Sequence, residues 1–379
     1  MKKIFFVIGL SLLMPLFSSA QTGEMPTELI DPAVTVSQEF FRARVIEVIK
    51  DDESVSERYV RWERAFKVKV LSGSEKGSEL EISDDGVEGL DKKFNIKLGD
   101  DVVVGRVQNA GQTIYFLADV YRLPVLFYIA LVFLILVLGI ARWKGLGSIL
   151  GLGASIIILV KFMLPQLLSG KNPLIIISAA ILAIAGVSIF LAHGFSKRTG
   201  LALISTLITL SVAAGFSFLA IALAHISGLG TEEAVFLNIS SFNSLNFQGL
   251  FLGAVLIGAL GVLDDITTAQ SAVVDELKKA KPELGLKELF GRAMSVGKEH
   301  IASLVNTLVL AYVAAALPLF LLLSINNSQP LWVILNSEFL AEEIIRALAG
   351  SFALVLAVPI STFIAAWYFR RTSSQAGSK

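Results

Sequence analysis

"LPVLFYIALVFLILVLGIARWKG", residues 123 to 145, runs for nineteen residues without a charge before Arg142. As a helix rising 1.5 Å per residue, the run reaches roughly 28 Å, enough for a hydrocarbon core about 30 Å thick. It reads as a membrane span over Leu123–Ala141 that ends where Arg142 and Lys144 meet lipid headgroups. Downstream the pattern repeats over Leu146–Leu164, Leu174–Ala192, Leu201–Ala224, Leu250–Ala269, Ile301–Leu323 and Ile345–Phe369, about seven transmembrane helices in all. A chain that is 54% hydrophobic and only 17% charged fits a fold lying mostly in a bilayer.

The basic residues orient these spans. With residues 21–121 outside, the inner loops carry Arg142 and Lys144, then Lys197 and Arg198, then six lysines and arginines between Lys278 and Lys298, then Arg370 and Arg371. The outer loops carry Lys171 among acidic Glu232, Glu233, Glu338, Glu342 and Glu343, so every loop follows the positive-inside rule. The reading is a multi-pass protein of the bacterial inner membrane, with an extracytoplasmic N-terminal domain, a transmembrane domain over 122–370 and a cytoplasmic tail over 371–379. Residues 1–20, with Lys2 and Lys3 before an apolar core and small residues at Ser18 and Ala20, have the layout of a secretory signal peptide, an uncleaved anchor being the alternative.

Residues 21–121 read as a β domain. "FRARVIEVIK" and "WERAFKVKVL" alternate apolar and polar residues, and "SELEIS", "DVVVGRV" and "TIYFLADVY" add shorter runs between glycine-containing turns. Five short strands suggest a small barrel of OB or SH3 type. "DDGVEGLD", residues 84–91, does not match an EF-hand loop and reads as solvated. Acidic and basic residues balance at 32 each, so nothing points to nucleic acid. The absence of cysteine excludes disulfides and thiolate chemistry. No cofactor is expected, and no metal is assigned.

The fifth span holds the sharpest feature. Counted from Gly249, Asp264 lies fifteen residues along, roughly 22 Å deep. Helical spacing puts Asp264, Thr268 and Ser271 on one stripe, with Asp265 about 100° away. A carboxylate at that depth faces other helices or a water-filled pathway; alternatively, the helix leaves the membrane at Asp264 and both carboxylates are hydrated. In the sixth span Asn306 and Thr307 lie level with Asp264 and share a face with Ser303, either lining the same pathway or joining helices by hydrogen bonds. Pro318 and Pro359 are candidate kinks. Glu343 and Arg346, at i, i+3 spacing, form a possible outer gate pair or an interfacial ion pair. Gly147, Gly151 and Ser155 give the second span a small-residue face for close packing.

The blocks "GALGVLDDITTAQSAVVDEL", "GKEHIASLVNTLVLAYVAAALPL" and "EEIIRALAGSFALVLAVPISTFIAAW" resemble those of the YibE/F-like family of bacterial membrane proteins, in that order and over nearly the whole mature chain. The resemblance implies a polytopic inner-membrane protein with an external N-terminal domain, of transport type and with no assigned substrate. Its matching polar positions are Asp264, Asn306, Thr307, Glu343, Arg346 and Pro359. Asp265 departs from the pattern, in which an apolar residue commonly follows the Asp.

The expected function is a transporter or ion-coupled permease for a small solute or ion, with a polar site formed by the fifth and sixth spans. The alternative is a non-transporting assembly or sensor component, alone or as a homo-oligomer, whose β domain binds an envelope partner. An enzyme is not expected. Asp264 and Asp265 diverge and cannot form an aspartyl dyad, and neither an H-E-x-x-H nor a G-x-S-x-G arrangement occurs.

Overall fold

The computed structural model describes residues 38–55, 60–87, 95–109, 112–239, 245–318, 320–321 and 330–372. The signal-peptide segment and residues 373–379 of the tail lie outside the described residues.

Five strands, β1 (Gln38–Val55), β2 (Val60–Val70), β3 (Glu79–Val87), β4 (Asp101–Asn109) and β5 (Gln112–Val120), close into a barrel ordered β1-β2-β3-β5-β4. All pairings are antiparallel except β3 with β5, the arrangement of an OB-type barrel. The two-residue period is realised as expected. Ala43 and Val45 pack with Phe66, Val68, Ile82, Val102 and Val104, and Phe41 on the same face is buried too, while Phe40, Arg42 and Arg44 face out. Register shifts after Val45 and Val48 let the long β1 serve two neighbours. Asp84 departs from the solvated-loop reading: it lies in β3, opposite Arg64 of β2, and the two form a buried ion pair. A buried arginine in the barrel requires such a carboxylate. On the outer surface Asp101 accepts hydrogen bonds from both Arg42 (2.6 Å) and Arg44 (2.8 Å), and these guanidinium groups, Arg44 foremost, hold its carboxyl below the usual range.

The contact pattern divides the chain into two units, one ending at Leu136 and the other beginning at Val137. The helices are α1 (Leu123–Ile157), a π-helical turn at Ile158–Met163, α2 (Leu164–Leu168), α3 (Pro173–His193), α4 (Lys197–Leu223), α5 (Glu232–Ile239), α6 (Phe247–Ala280), α7 (Leu286–Ala315), α8 (Leu331–Leu335) and α9 (Glu338–Thr372). Among the described residues five helices are long and apolar enough to cross a membrane: Leu123–Leu168, Pro173–His193, Lys197–Leu223, Phe247–Ala280 and Glu338–Arg370. This count differs from seven in two places. The first two expected spans form one 46-residue helical run, interrupted at Arg142, whose φ of 50° and ψ of −128° are not helical. The bend is sharp enough that a Cβ on Gly145 would meet the Val137 carbonyl oxygen at 2.7 Å, eight residues back. The expected sixth span belongs to α7, which starts earlier with a charged half containing the Glu288–Arg292 pair.

α7 ends sooner than expected, at Ala315, and Pro318 lies three residues past that terminus. Proline has no N–H to carry the helical ladder onward. Pro359 does lie inside α9.

α6 is the hub, in contact with α3, α4, α7 and α9. Its Ala259, Leu260, Leu263 and Ile266 pack with Ile177, Ala180, Ile181 and Ile184 of α3 and Ala353, Leu354, Ala357 and Val358 of α9. The small-residue face of α1 is used as its spacing suggests. Gly147 lies against the Leu191 carbonyl and Gly151 against Ser188, both on α3.

Candidate functional site

Asp264 sits on the face of α6 turned towards α3. Its Oδ2 accepts a hydrogen bond from Ser188 Oγ at 2.9 Å, and its Oδ1 is buried with no hydrogen-bond partner among the described residues. A half-satisfied carboxyl inside a helix bundle can hold a proton or meet a cation, and either changes the balance of its surroundings. Three further hydrogen bonds continue a polar band along α6 towards its C-terminus. The hydroxyls of Thr267 and Thr206 of α4 are 2.7 Å apart, both buried. Gln270 Nε2 donates at 2.8 Å to the Ala293 carbonyl of α7 and at 2.8 Å to Thr362 Oγ1 of α9. The band therefore ties α6 to each of its four neighbours.

Thr268 and Ser271 lie on the same part of α6 as their spacing indicates. Both are buried, Thr268 donating to the Asp264 carbonyl at 2.8 Å and Ser271 Oγ having no partner among the described residues. Asn306 and Thr307 are placed differently from the expectation. α7 turns Ile301, Leu304, Val305 and Leu308 towards the core, leaving Asn306 and Thr307 exposed and the Thr307 hydroxyl donating to the Ser303 carbonyl. The partner of Asp264 is supplied by α3 instead.

A second polar layer lies towards the other end of α6. Arg346 Nη1 donates to Glu343 Oε1 at 2.8 Å, and its guanidinium lies 5.5 Å from the ring centroid of Phe251 on α6. Tyr312 of α7 enters between Gly258 of α6 and Gly350 of α9, where side chains would fill its space. Nearby, two α9 carboxylates are held by the loop after α4. Glu338 Oε1 accepts from Ser227 N, Ser227 Oγ and Gly228 N at 2.6, 2.7 and 3.1 Å, and Glu342, only 2% exposed, accepts from Gly230 N at 2.9 Å. The loop needs its glycine: Gly228 has φ of +85° and packs on the Phe247 carbonyl. Phe251 and Asp264 are thirteen residues apart on α6, so about 20 Å of largely apolar helix separates the two layers.

The model of the YibE/F-like protein family matches residues 129–371. The chain belongs to the YibE/F-like family. Neither a curated protein nor a solved structure matches it. The family match covers the helices and begins after the barrel, a narrower reach than the near-complete resemblance read from the sequence. Within this YibE/F-like region the structure adds Ser188, Thr206, Thr267, Gln270 and Thr362 to the residues named from sequence. A glutamine in an apolar helix was the one available signal for these, since it needs several partners wherever it is buried. Among the described residues no group of three His, Asp or Glu side chains is placed to hold a metal ion.

Proposed function

We propose that this YibE/F-like chain is a transporter or ion-coupled permease of the bacterial inner membrane, with Asp264 and Ser188 at the centre of its pathway. The observation that carries the reading is the half-buried Asp264 carboxyl, bonded through one oxygen to α3, its other oxygen buried and without a partner among the described residues. An ionisable group kept inside a membrane bundle costs stability, and a proton or cation that comes and goes accounts for its retention. The Glu343–Arg346 pair, with Phe251 and Tyr312, is the outer gate in this scheme, and the apolar length of α6 separates it from the inner site. The reading replaces the α6–α7 site expected from sequence by an α3–α6 site. In this scheme Leu123–Leu168 crosses twice about Arg142 and α7 supplies a sixth span, making seven crossings, and the basic loops on the cytoplasmic side orient them with the N-terminal domain outside and the C-terminus inside.

The test is growth and uptake across a panel of ions and small solutes, comparing wild type with Asp264→Asn. Loss of one solute-specific phenotype supports the reading, and wild-type behaviour throughout contradicts it.

A second reading is an assembly or sensor component acting through the barrel. Phe40 and Ile114 are exposed on the outer face of its β1–β4–β5 sheet, which favours a protein partner there. Full function in Asp264→Asn together with loss on deleting residues 21–121 selects this alternative.

A further inference from the structure

A cavity of about 270 Å³ opens where the end of α3, the first turn of α4 and α6 meet. His193, Arg198, Thr199, Asp265 and Thr268 line it, with three alanines leaving the space between them. Its volume falls just under the range of about 300–1,000 Å³ typical of drug-sized ligands, so it suits a small solute.

The charges around it are opposed and unpaired. Arg198 and Asp265 border the same space, yet neither forms an ion pair among the described residues. Arg198 occupies the first turn of α4, where the helix dipole already concentrates positive charge, so its own helix does not favour it there. Asp265 points away from the Asp264–Ser188 pair, and the polar band on α6 makes no use of it. A simple anion in this space is drawn to Arg198 and repelled by Asp265; a simple cation meets the reverse. A molecule bearing both charges satisfies both, and Thr199 and Thr268 add neutral polar lining.

We propose that this cavity binds a small zwitterion of the amino-acid type, its carboxylate at Arg198 and its ammonium at Asp265. Asp265 thereby acquires a role distinct from that of its neighbour. The site's part in transport rests on the reading given above: Thr268 both lines the cavity and donates to the Asp264 carbonyl, which places the solute within one helical turn of the Asp264–Ser188 pair. Binding itself does not depend on that reading.

The experiment is isothermal titration of the detergent-purified full chain with glycine and with glutamine, using acetate, methylammonium and inorganic phosphate as single-charge probes. Saturable binding of at least one zwitterion is expected, with the single-charge probes weaker. Arg198→Gln and Asp265→Asn each weaken binding by at least about tenfold. Arg198→Lys, which keeps the charge, retains more of it than Arg198→Gln, and gel filtration confirms that each variant is folded. Zwitterion binding that depends on Arg198 and Asp265 supports the cavity assignment whether or not Asp264→Asn abolishes uptake, a result that bears on the transport reading alone. Absence of binding by both zwitterions overturns the proposal. So does binding indifferent to Arg198→Gln or Asp265→Asn, or a preference for phosphate that survives Asp265→Asn and marks a plain anion site.

Discussion

Ser188 Oγ donates to Asp264 Oδ2 at 2.9 Å, joining the middle of the bundle's hub helix to α3. The contact makes the serine and the carboxylate unequal partners. Ser188→Ala leaves the carboxyl with neither oxygen bonded and is expected to cost about 1–3 kcal/mol. Asp264→Asn still accepts the serine proton through its amide oxygen and is expected to cost less. Thermal unfolding of both variants in detergent checks the order, and a larger loss in Asp264→Asn contradicts it.

Gly147 and Gly151 of α1 both pack against α3, but against different atoms. A Cβ on Gly151 meets Ser188 Cα at 3.4 Å, an ordinary contact, whereas one on Gly147 runs into the Leu191 carbonyl oxygen. Gly151→Ala is therefore expected to be tolerated, and Gly147→Ala to cost about 1–3 kcal/mol because backbone cannot yield as a flexible side chain does. Equal melting temperatures for the two variants would count against this packing.

The Gln270 amide joins three helices through two 2.8 Å hydrogen bonds. Thr362→Val removes one acceptor while keeping the shape and is expected to cost about 1 kcal/mol. Gln270→Leu loses both bonds and is expected to cost more. The same unfolding measurement ranks them, and no difference between the two contradicts a network centred on Gln270.

How much of this was legible in the sequence differs by element. The barrel strands were, because a sheet with one face inside forces an apolar–polar alternation that "FRARVIEVIK" displays openly. The apolar helices were legible by length, but the break at Arg142 was expected as a loop and the chain instead stays helical on both sides of one residue. On the α6 stripe, Thr268 and Ser271 are buried and Asp264 is half-buried. Thr267 and Gln270 were missed because the polar run "TTAQS" wraps roughly 160° of helix, wider than a single seam. α7 misled for the opposite reason. Its polar face, with Ser303, Asn306 and Thr307, is turned outward, and an assumption that polar residues point into a bundle selects the wrong side. Ser188 could not be found at all, since a lone serine in an apolar helix gives no hint of which helix faces it.

In the barrel, Asp101 is held below the usual carboxylate range first by Arg44 and then by Arg42. A carboxyl whose folded value is lowered stabilises the fold above its unfolded value of about 3.9, and that contribution disappears as the pH falls through the folded value. Asp101→Asn is expected to cost on the order of 1 kcal/mol at neutral pH, and nothing once the wild-type carboxyl is protonated. Proteolytic susceptibility of the barrel in the full chain, measured from neutral to strongly acidic pH, checks this; a variant effect that persists undiminished in acid contradicts it.

The proposed topology places Lys171 outside and Lys287 inside. Because the native chain has no cysteine, Lys171→Cys and Lys287→Cys each introduce a single reporter thiol. A membrane-impermeant reagent added to intact spheroplasts is expected to label the first variant alone, and inverted vesicles the second alone. Labelling of both from one side contradicts the seven-span arrangement.

Labelling of Ser188→Cys tests the central claim most directly, since that position touches Asp264 and the site's role depends on water and solute reaching it. In folded, membrane-embedded protein, a water-soluble impermeant thiol reagent is expected to modify Ser188→Cys from the cytoplasmic side. A thiol that stays unreactive from both sides, and becomes reactive only on unfolding, makes the Asp264–Ser188 contact a dry helix joint and contradicts the pathway.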